Sequence, residues 1–196
     1  MTDNQALKVV EAMNKRQFEA YYCKTSQEAL EKALTLIPEN HTVSWGGSVT
    51  LDQIGLIQAV KNKGYKVIDR ATAKNPEERI ELMRKALTAE TFLMSSNAIT
   101  EDGQLLNVDG NGNRVAALCF GPKQVIVVAG TNKIVPSWED AYNRVLKVAA
   151  PLNAKRLSSA EKEVKVENIF CQVVTTRVSL PSKKIKVILV GEELGF

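Results

Sequence analysis

The chain has 196 residues, 44% hydrophobic and 24% charged, the proportions of an ordinary folded protein, and a chain this long buries roughly 70% of its unfolded surface without help from disulfides or a structural metal. Its 26 Lys and Arg against 22 Asp and Glu leave a formal charge of +4, and no apolar run approaches the ~20 residues of a membrane span. Met1-Thr2-Asp3-Asn4-Gln5 lacks the basic-then-apolar pattern of a signal peptide, so fibrous, disordered and membrane-spanning classes are excluded and the cytoplasm is the expected location.

Two amphipathic helices are predicted first. Leu7, Val10, Asn14, Phe18 and Tyr21 keep helical spacing, and Thr25-Ser26-Gln27-Glu28 reads as a capping box that opens a second helix ended by Pro38. From residue 41 strands and helices alternate. Thr42–Trp45 is a short strand running into Gly46-Gly47-Ser48, followed by a helix from Thr50 to Gly64 with Thr50 as its cap. Tyr65–Asp69 is the next strand, and Asn75-Pro76-Glu77-Glu78 starts a helix whose core stripe is Ile80, Met83 and Leu87.

Thr91–Ser95 is a third strand, followed by a polar, loop-rich stretch to Arg114 with a hairpin arm at Leu105–Val108. Gln124–Ala129 is almost wholly apolar, as expected of a central parallel strand covered on both faces. Ser137 caps a long helix carrying Trp138, Ala141, Tyr142, Val145, Ala149 and Leu152, and strands near 169–178 and 184–190 close the chain. The alternation predicts a mostly parallel, doubly wound, Rossmann-like α/β sheet with right-handed crossovers. It forms one domain over 1–196, a helical N-terminal extension over 1–38 and a sheet core over 41–196.

Residues 155 to 186 are basic, with eight Lys and Arg against Glu161, Glu163 and Glu167. Such a segment suits a phosphate or coenzyme A, or is simply a solvated face. Phe170 is its only aromatic residue, and nucleic-acid recognition normally adds clustered aromatics. Cys23, Cys119 and Cys171 are far apart in sequence, and His41 is the only histidine. No metal site or cluster is expected from this chain alone, and no cofactor is named by it.

In an open parallel sheet, ligands bind beyond the carboxyl ends of the strands, and three loops leave such ends. Gly46-Gly47-Ser48 is either a close-approach site for an anion at a helix start or a plain tight turn. The stretch from Ser95 to Arg114 includes Ser96, Asn97, Glu101, Asp109, Gly110, Asn111, Gly112, Asn113 and Arg114. Glu101 and Asp109 are candidate nucleophiles or general bases, or else solvated or buttressing acids. Arg114 is a two-point partner for a phosphate or carboxylate, or braces the loop through Asp109. The third loop is Gly130-Thr131-Asn132-Lys133, whose Gly130, Asn132 and Lys133 are candidate anion contacts. Lys133 reaches a bound anion from a rigid position or begins a helix in solvent.

The segments HTVSWGGSVTLDQIGL, YKVIDR, SSNAITEDGQLLNVDGNGNRVAALCFGPKQVIVVAGTNKIV, AAPLNAKRL and VILVGEELGF, in this order from residue 41 to the end, resemble the LUD (lactate utilisation, former DUF162) family. The resemblance implies a fold like that of ribose-5-phosphate isomerase, glucosamine-6-phosphate deaminase and the CoA-transferases. It also implies a part in oxidising lactate to pyruvate beside iron–sulfur partner proteins; the three loops add the expectation of a small phosphate- or carboxylate-bearing ligand, and a homo-oligomer is a further expected partner state. It assigns no catalytic residue. Relatives of this kind often carry a cysteine-rich insert after the NAKRL stretch, whereas residues 158–167 here hold no cysteine. A stand-alone CoA-transferase-like or sugar-phosphate isomerase-like enzyme, and a non-catalytic ligand-binding module, are the alternatives.

Overall fold

The computed structural model describes residues 1–196. Its main sheet has six strands, all parallel: β1 (Glu19–Cys23), β2 (Thr42–Trp45), β3 (Lys66–Ile68), β4 (Thr91–Met94), β7 (Gln124–Gly130) and β10 (Ile185–Val190), in the order β1-β10-β7-β4-β2-β3. A second, mixed sheet of four strands contains β5 (Ala98–Thr100), β6 (Leu105–Asp109), β8 (Ile134–Val135) and β9 (Gln172–Thr176), in the order β8-β5-β6-β9. The predicted hairpin is its β5–β6 pair. β9, the strand read near 169–178, pairs antiparallel with β6 in this second sheet.

Helices cover both faces of the main sheet because its side chains alternate between two cores. Val125 and Val127 of β7 pack with Phe92, Met94, Val187 and Leu189 under α1 (Asp3–Lys15), α5 (Pro76–Ala86) and α6 (Asn113–Cys119). Ile126 and Val128 face the other way, onto Ala29 and Ala33 of α2 (Ser26–Thr35), Leu51 of α3 (Val49–Gln53) and Leu56 and Val60 of α4 (Leu56–Asn62). Every residue of β7 is buried. Each of its aliphatic side chains contributes about 1.5–3 kcal/mol by leaving water, so a charge such as Val127→Asp there would unfold the sheet. α7 (Trp138–Arg144), a π-helical turn over Val145–Ala149 and α8 (Ala150–Leu157) form the long C-terminal helix. Ala141 and Val145 cover Ala98, Leu106 and Val108 of the second sheet.

Four local expectations are corrected. The N-terminal segment is more than a helical extension: α1 ends at Lys15, Gln17 turns at φ 64°, and Glu19–Cys23 becomes the edge strand β1. The helix expected from Thr50 to Gly64 is two, broken at the left-handed Gly55, and its cap is Ser48, whose hydroxyl accepts from the Leu51 N–H at 3.3 Å. In α5 the Asn75 cap and Pro76 start are as predicted, but Ile80 is 45% exposed and Ala86 is the buried residue. Trp138 and Leu152 of the long C-terminal helix are likewise largely exposed. No helix is long and apolar enough to cross a membrane.

Candidate functional site

After β3 the chain turns back across β2 to build β4, β7 and β10, which fill the sheet between β2 and the already formed β1. That reversal leaves a crevice at the carboxyl ends of the strands, the usual ligand position in such sheets. A cavity of about 260 Å³ occupies it. Gly47 and Ser48 reach it from the end of β2, Arg70 from β3, Ser95, Ser96 and Asn97 from β4, and Lys133 from β7. Asp109, Gly110, Asn111, Asn113 and Arg114 enter from β6 and α6, Arg79 and Met83 from α5, Asn153 and Arg156 from α8, and Gly195 and Phe196 from the end of the chain.

The charge balance of this wall is lopsided. Arg70, Arg79, Arg114, Arg156 and Lys133 line it, and Asp109 is the only acidic side chain. Asp109 is committed: one oxygen accepts from the Arg114 and Val115 backbone N–H groups (2.7 and 3.4 Å), the other from Arg114 Nε at 3.2 Å. Arg114 also donates to the Val108 carbonyl. Asp109 thereby caps α6, where Gly112 has no side chain to do so, and braces Arg114 at the cavity wall. Arg70 follows Asp69, which accepts from the Ala71 N–H at 2.9 Å and pairs with Lys61 at 2.6 Å. These contacts fix the short turn that carries Arg70. Burial, with Arg79 and Arg114 alongside, holds the Arg70 guanidinium below its usual pKa.

Lys133 is 2% exposed. Its Nζ donates to Thr50 Oγ1 at 2.9 Å and Ser95 Oγ at 2.8 Å, and no carboxylate pairs with it. Burial, reinforced by Arg144 and Arg114, lowers its pKa to about 7. Arg144 stands behind it, donating to the carbonyls of Asn97 (2.6 Å) and Asn132 (3.2 Å), and so ties two of the strand-end loops together.

The structure brings Gly47, Ser48, Ser96, Asn97, Asp109, Gly110, Asn111, Asn113, Arg114 and Lys133 to the cavity. Gly46, Gly112, Gly130 and Asn132 stand outside its wall. Gly46 gives room to a side chain: a Cβ there would meet Arg114 Cγ and Cδ at 2.6 Å, just as one on Gly47 would meet Arg70 Nη2 at 2.7 Å. The double glycine thus admits two arginines. Asn132 fastens the C-terminal residues, accepting from Leu194 N–H at 3.1 Å and donating to the Gly195 carbonyl at 3.4 Å. Glu101 is exposed at the far end of the hairpin, where its N–H donates to the Val135 carbonyl at 2.9 Å, and it is not part of the cavity wall. Lys133 does not begin a helix in solvent; it is buried.

Thr50, Arg70, Arg79, Ser95 and Arg156 escape the sequence reading. Arg70 had a signal, since it directly follows the strand-end aspartate of YKVIDR; Arg79 and Arg156 sit on helices where only the tertiary fold reveals the convergence. Cys23 is buried and Cys119 and Cys171 exposed, all three as free thiols. No three His, Cys, Asp or Glu side chains gather as a metal-ligand group.

The fold and the crevice define an open, doubly wound α/β protein with an arginine-lined cavity at the switch point of its sheet. The chain belongs to the LUD domain family, whose profile matches residues 6–190. It is similar to the crystal structure of a DUF162 family protein from Deinococcus radiodurans, with a TM-score of 0.62 at 13% identity over 96% of this chain and 97% of that one. It also aligns with ribose 5 phosphate isomerase A from Neisseria gonorrhoeae, with a TM-score of 0.43 at 14% identity over 87% and 94% of the two chains. No curated protein matches significantly in sequence.

Proposed function

We propose that the cavity binds a small anion bearing more than one negative charge, phosphate or carboxylate, and that the protein serves lactate utilisation through it. LUD membership supports a role related to lactate utilisation in general. The finer reading is that the chain supports oxidation of lactate to pyruvate beside iron–sulfur partner proteins in the cytoplasm. One observation carries the anion reading: five basic side chains share the wall with one acidic side chain, which Arg114 and two amides already occupy. Like charges this close repel, and a bound anion removes the cost.

A thermal-shift screen with inorganic phosphate, sugar phosphates, lactate, pyruvate and acyl-CoAs tests it. A ligand at a hundred times its Kd stabilises by about 2.7 kcal/mol, a shift of about 5–10 °C at this size. The shift should shrink in Arg70→Ala; equal shifts in wild type and that variant would place the ligand elsewhere. Reconstituted lactate oxidation with and without this chain tests the partner reading, and an undiminished rate without it would refute that reading.

A further inference from the structure

The buried amine of Lys133 has an arrangement that simple anion binding does not require. Its two hydrogen-bond partners are hydroxyls, and Lys133 Nζ donates to both, to Thr50 Oγ1 at 2.9 Å and to Ser95 Oγ at 2.8 Å; the contacts of these hydroxyls to Leu194 O (3.4 Å) and Ser96 O (3.5 Å) are long and weak. A neutral amine has two N–H donors and one lone pair, so these partners use both donors and leave the lone pair free. Lys133 lines the cavity together with Thr50 and Ser95. The backbone beside it is Gly195, at φ 58°, where a Cβ would come within 2.5 Å of Thr50 Oγ1 and 3.2 Å of Lys133 Nζ. Any side chain there would crowd the amine.

Resting on the anion-binding reading, we propose that Lys133 is a catalytic nucleophile: it captures the carbonyl carbon of an anionic aldehyde or ketone held by the neighbouring arginines, and forms an imine with it. The nitrogen lone pair adds to the carbonyl carbon, and a proton passes from nitrogen to the former carbonyl oxygen, giving a carbinolamine. That intermediate loses its hydroxyl together with the second amine proton as one water molecule, leaving a C=N bond. No oxidant or other reactant is consumed. The site supplies what the step needs: cations to hold the anionic end, a desolvated amine with no carboxylate partner, and a small crevice of about 260 Å³. Near neutrality the depressed pKa keeps a large fraction of the amine unprotonated, whereas an exposed lysine is about one part in a thousand neutral at pH 7.4.

Reductive trapping tests this. The full-length protein is incubated at pH 7.4 with sodium cyanoborohydride and either glyoxylate, which carries a carboxylate, or glycolaldehyde phosphate, which carries a phosphate. Adducts are then mapped by peptide mass spectrometry. Lys133 should label at least tenfold faster than exposed lysines with one of the two probes, and the probe that labels it identifies the preferred anion. Inorganic phosphate should protect it, and Lys133→Arg should remove the adduct while circular dichroism shows an unchanged fold. Arg70→Ala keeps the amine and should slow its labelling.

If Lys133 stays unlabelled while exposed lysines label at their ordinary rate, the imine is refuted. Should phosphate still raise the wild-type Tm in that case, the anion site survives on its own. If Lys133 labels quickly but phosphate neither protects it nor shifts the Tm, and Arg70→Ala labels as fast as wild type, the anion reading is the one that fails.

Discussion

Two polar regions of this molecule treat their charges in opposite ways. At the tip of the β5–β6 hairpin, Asp102 accepts from Arg16, from the Thr100 hydroxyl and from Gln104 Nε2 at 2.9 Å, and Arg16 also donates to the carbonyls of Asp102 (2.6 Å) and Arg177 (3.2 Å). Arg16 and Asp102 thus satisfy each other within the chain. At the carboxyl ends of the main strands, Lys133 and Arg70 have no carboxylate partner, and the one acidic side chain of the wall, Asp109, is spent on bracing Arg114. A folded chain tolerates the second arrangement at a cost in stability, which is the mark of groups arranged for something other than folding. Both regions are rich in Asn, Asp and Gly, and composition alone does not tell them apart.

The largest effect expected from this contrast is at Lys133. Its pKa is about 7 in the fold and about 10.4 in the unfolded chain, so between these values the unfolded state holds the extra proton and stability rises with pH. Below pH 7 the full cost of charging a buried amine is present. Lys133→Met should therefore be more stable than wild type, by on the order of 3 kcal/mol at pH 7, and the advantage should shrink by up to about 1.4 kcal/mol per unit between pH 7 and 10. Urea unfolding of both proteins at pH 7, 8 and 9 measures this. A difference that does not change with pH would mean the amine is not desolvated as described.

Next in size is the pair Arg70→Ala and Arg16→Ala. Removing Arg70 takes away a cation held among cations, so the ligand-free protein should unfold at the same urea concentration or a higher one, while anion affinity falls about tenfold, ~1.4 kcal/mol. Removing Arg16 deletes hydrogen bonds to two carbonyls and Asp102, costing about 1 kcal/mol of stability with no change in anion affinity. Titration calorimetry with the best anion from the screen, beside the unfolding curves, checks both halves. If Arg70→Ala were the destabilised member of the pair, the cavity charges would be structural.

A smaller effect sits at the double glycine. A Cβ on Gly47 would meet the far end of the Arg70 side chain rather than backbone, so the guanidinium can move aside at little cost to folding. Gly47→Ala should change stability by less than ~0.5 kcal/mol and weaken anion binding a few-fold, because the displaced group is the one that binds. An unchanged Kd would show that Arg70 does not contact the ligand.

The sheet was legible because each main strand is short, apolar and bounded by turn residues, and β7 so apolar that only a two-sided burial suits it. β1 was not, since Phe18 and Tyr21 continue the helical spacing of Leu7 and Val10, and nothing local shows that Gln17 turns the chain. The three strand-end loops could be located from the general rule for open sheets, and most of the residues they nominated line the cavity. The rest of the wall was hidden for two reasons. Thr50 reads as a cap until Ser48 takes that role and frees its hydroxyl for Lys133. Arg79 and Arg156 reach the site from helices whose meeting depends on the long-range fold.

The smallest expected effect is the sharpest check on the contrast. Glu101 was a candidate base because it lies in the same polar stretch as Asp109 and Arg114, yet the hairpin carries it to the exposed end of β5, beside the region where charges are already paired. Its backbone N–H, not its carboxylate, makes the contact to β8, at 2.9 Å to the Val135 carbonyl. Glu101→Gln keeps that amide and the side-chain volume, so stability should stay within about 0.5 kcal/mol. Neither anion affinity nor the trapping rate at Lys133 should change. A loss of either in Glu101→Gln would mean that the hairpin tip acts on the cavity, and the division between a paired region that serves the fold and an unpaired one that serves a ligand would no longer hold.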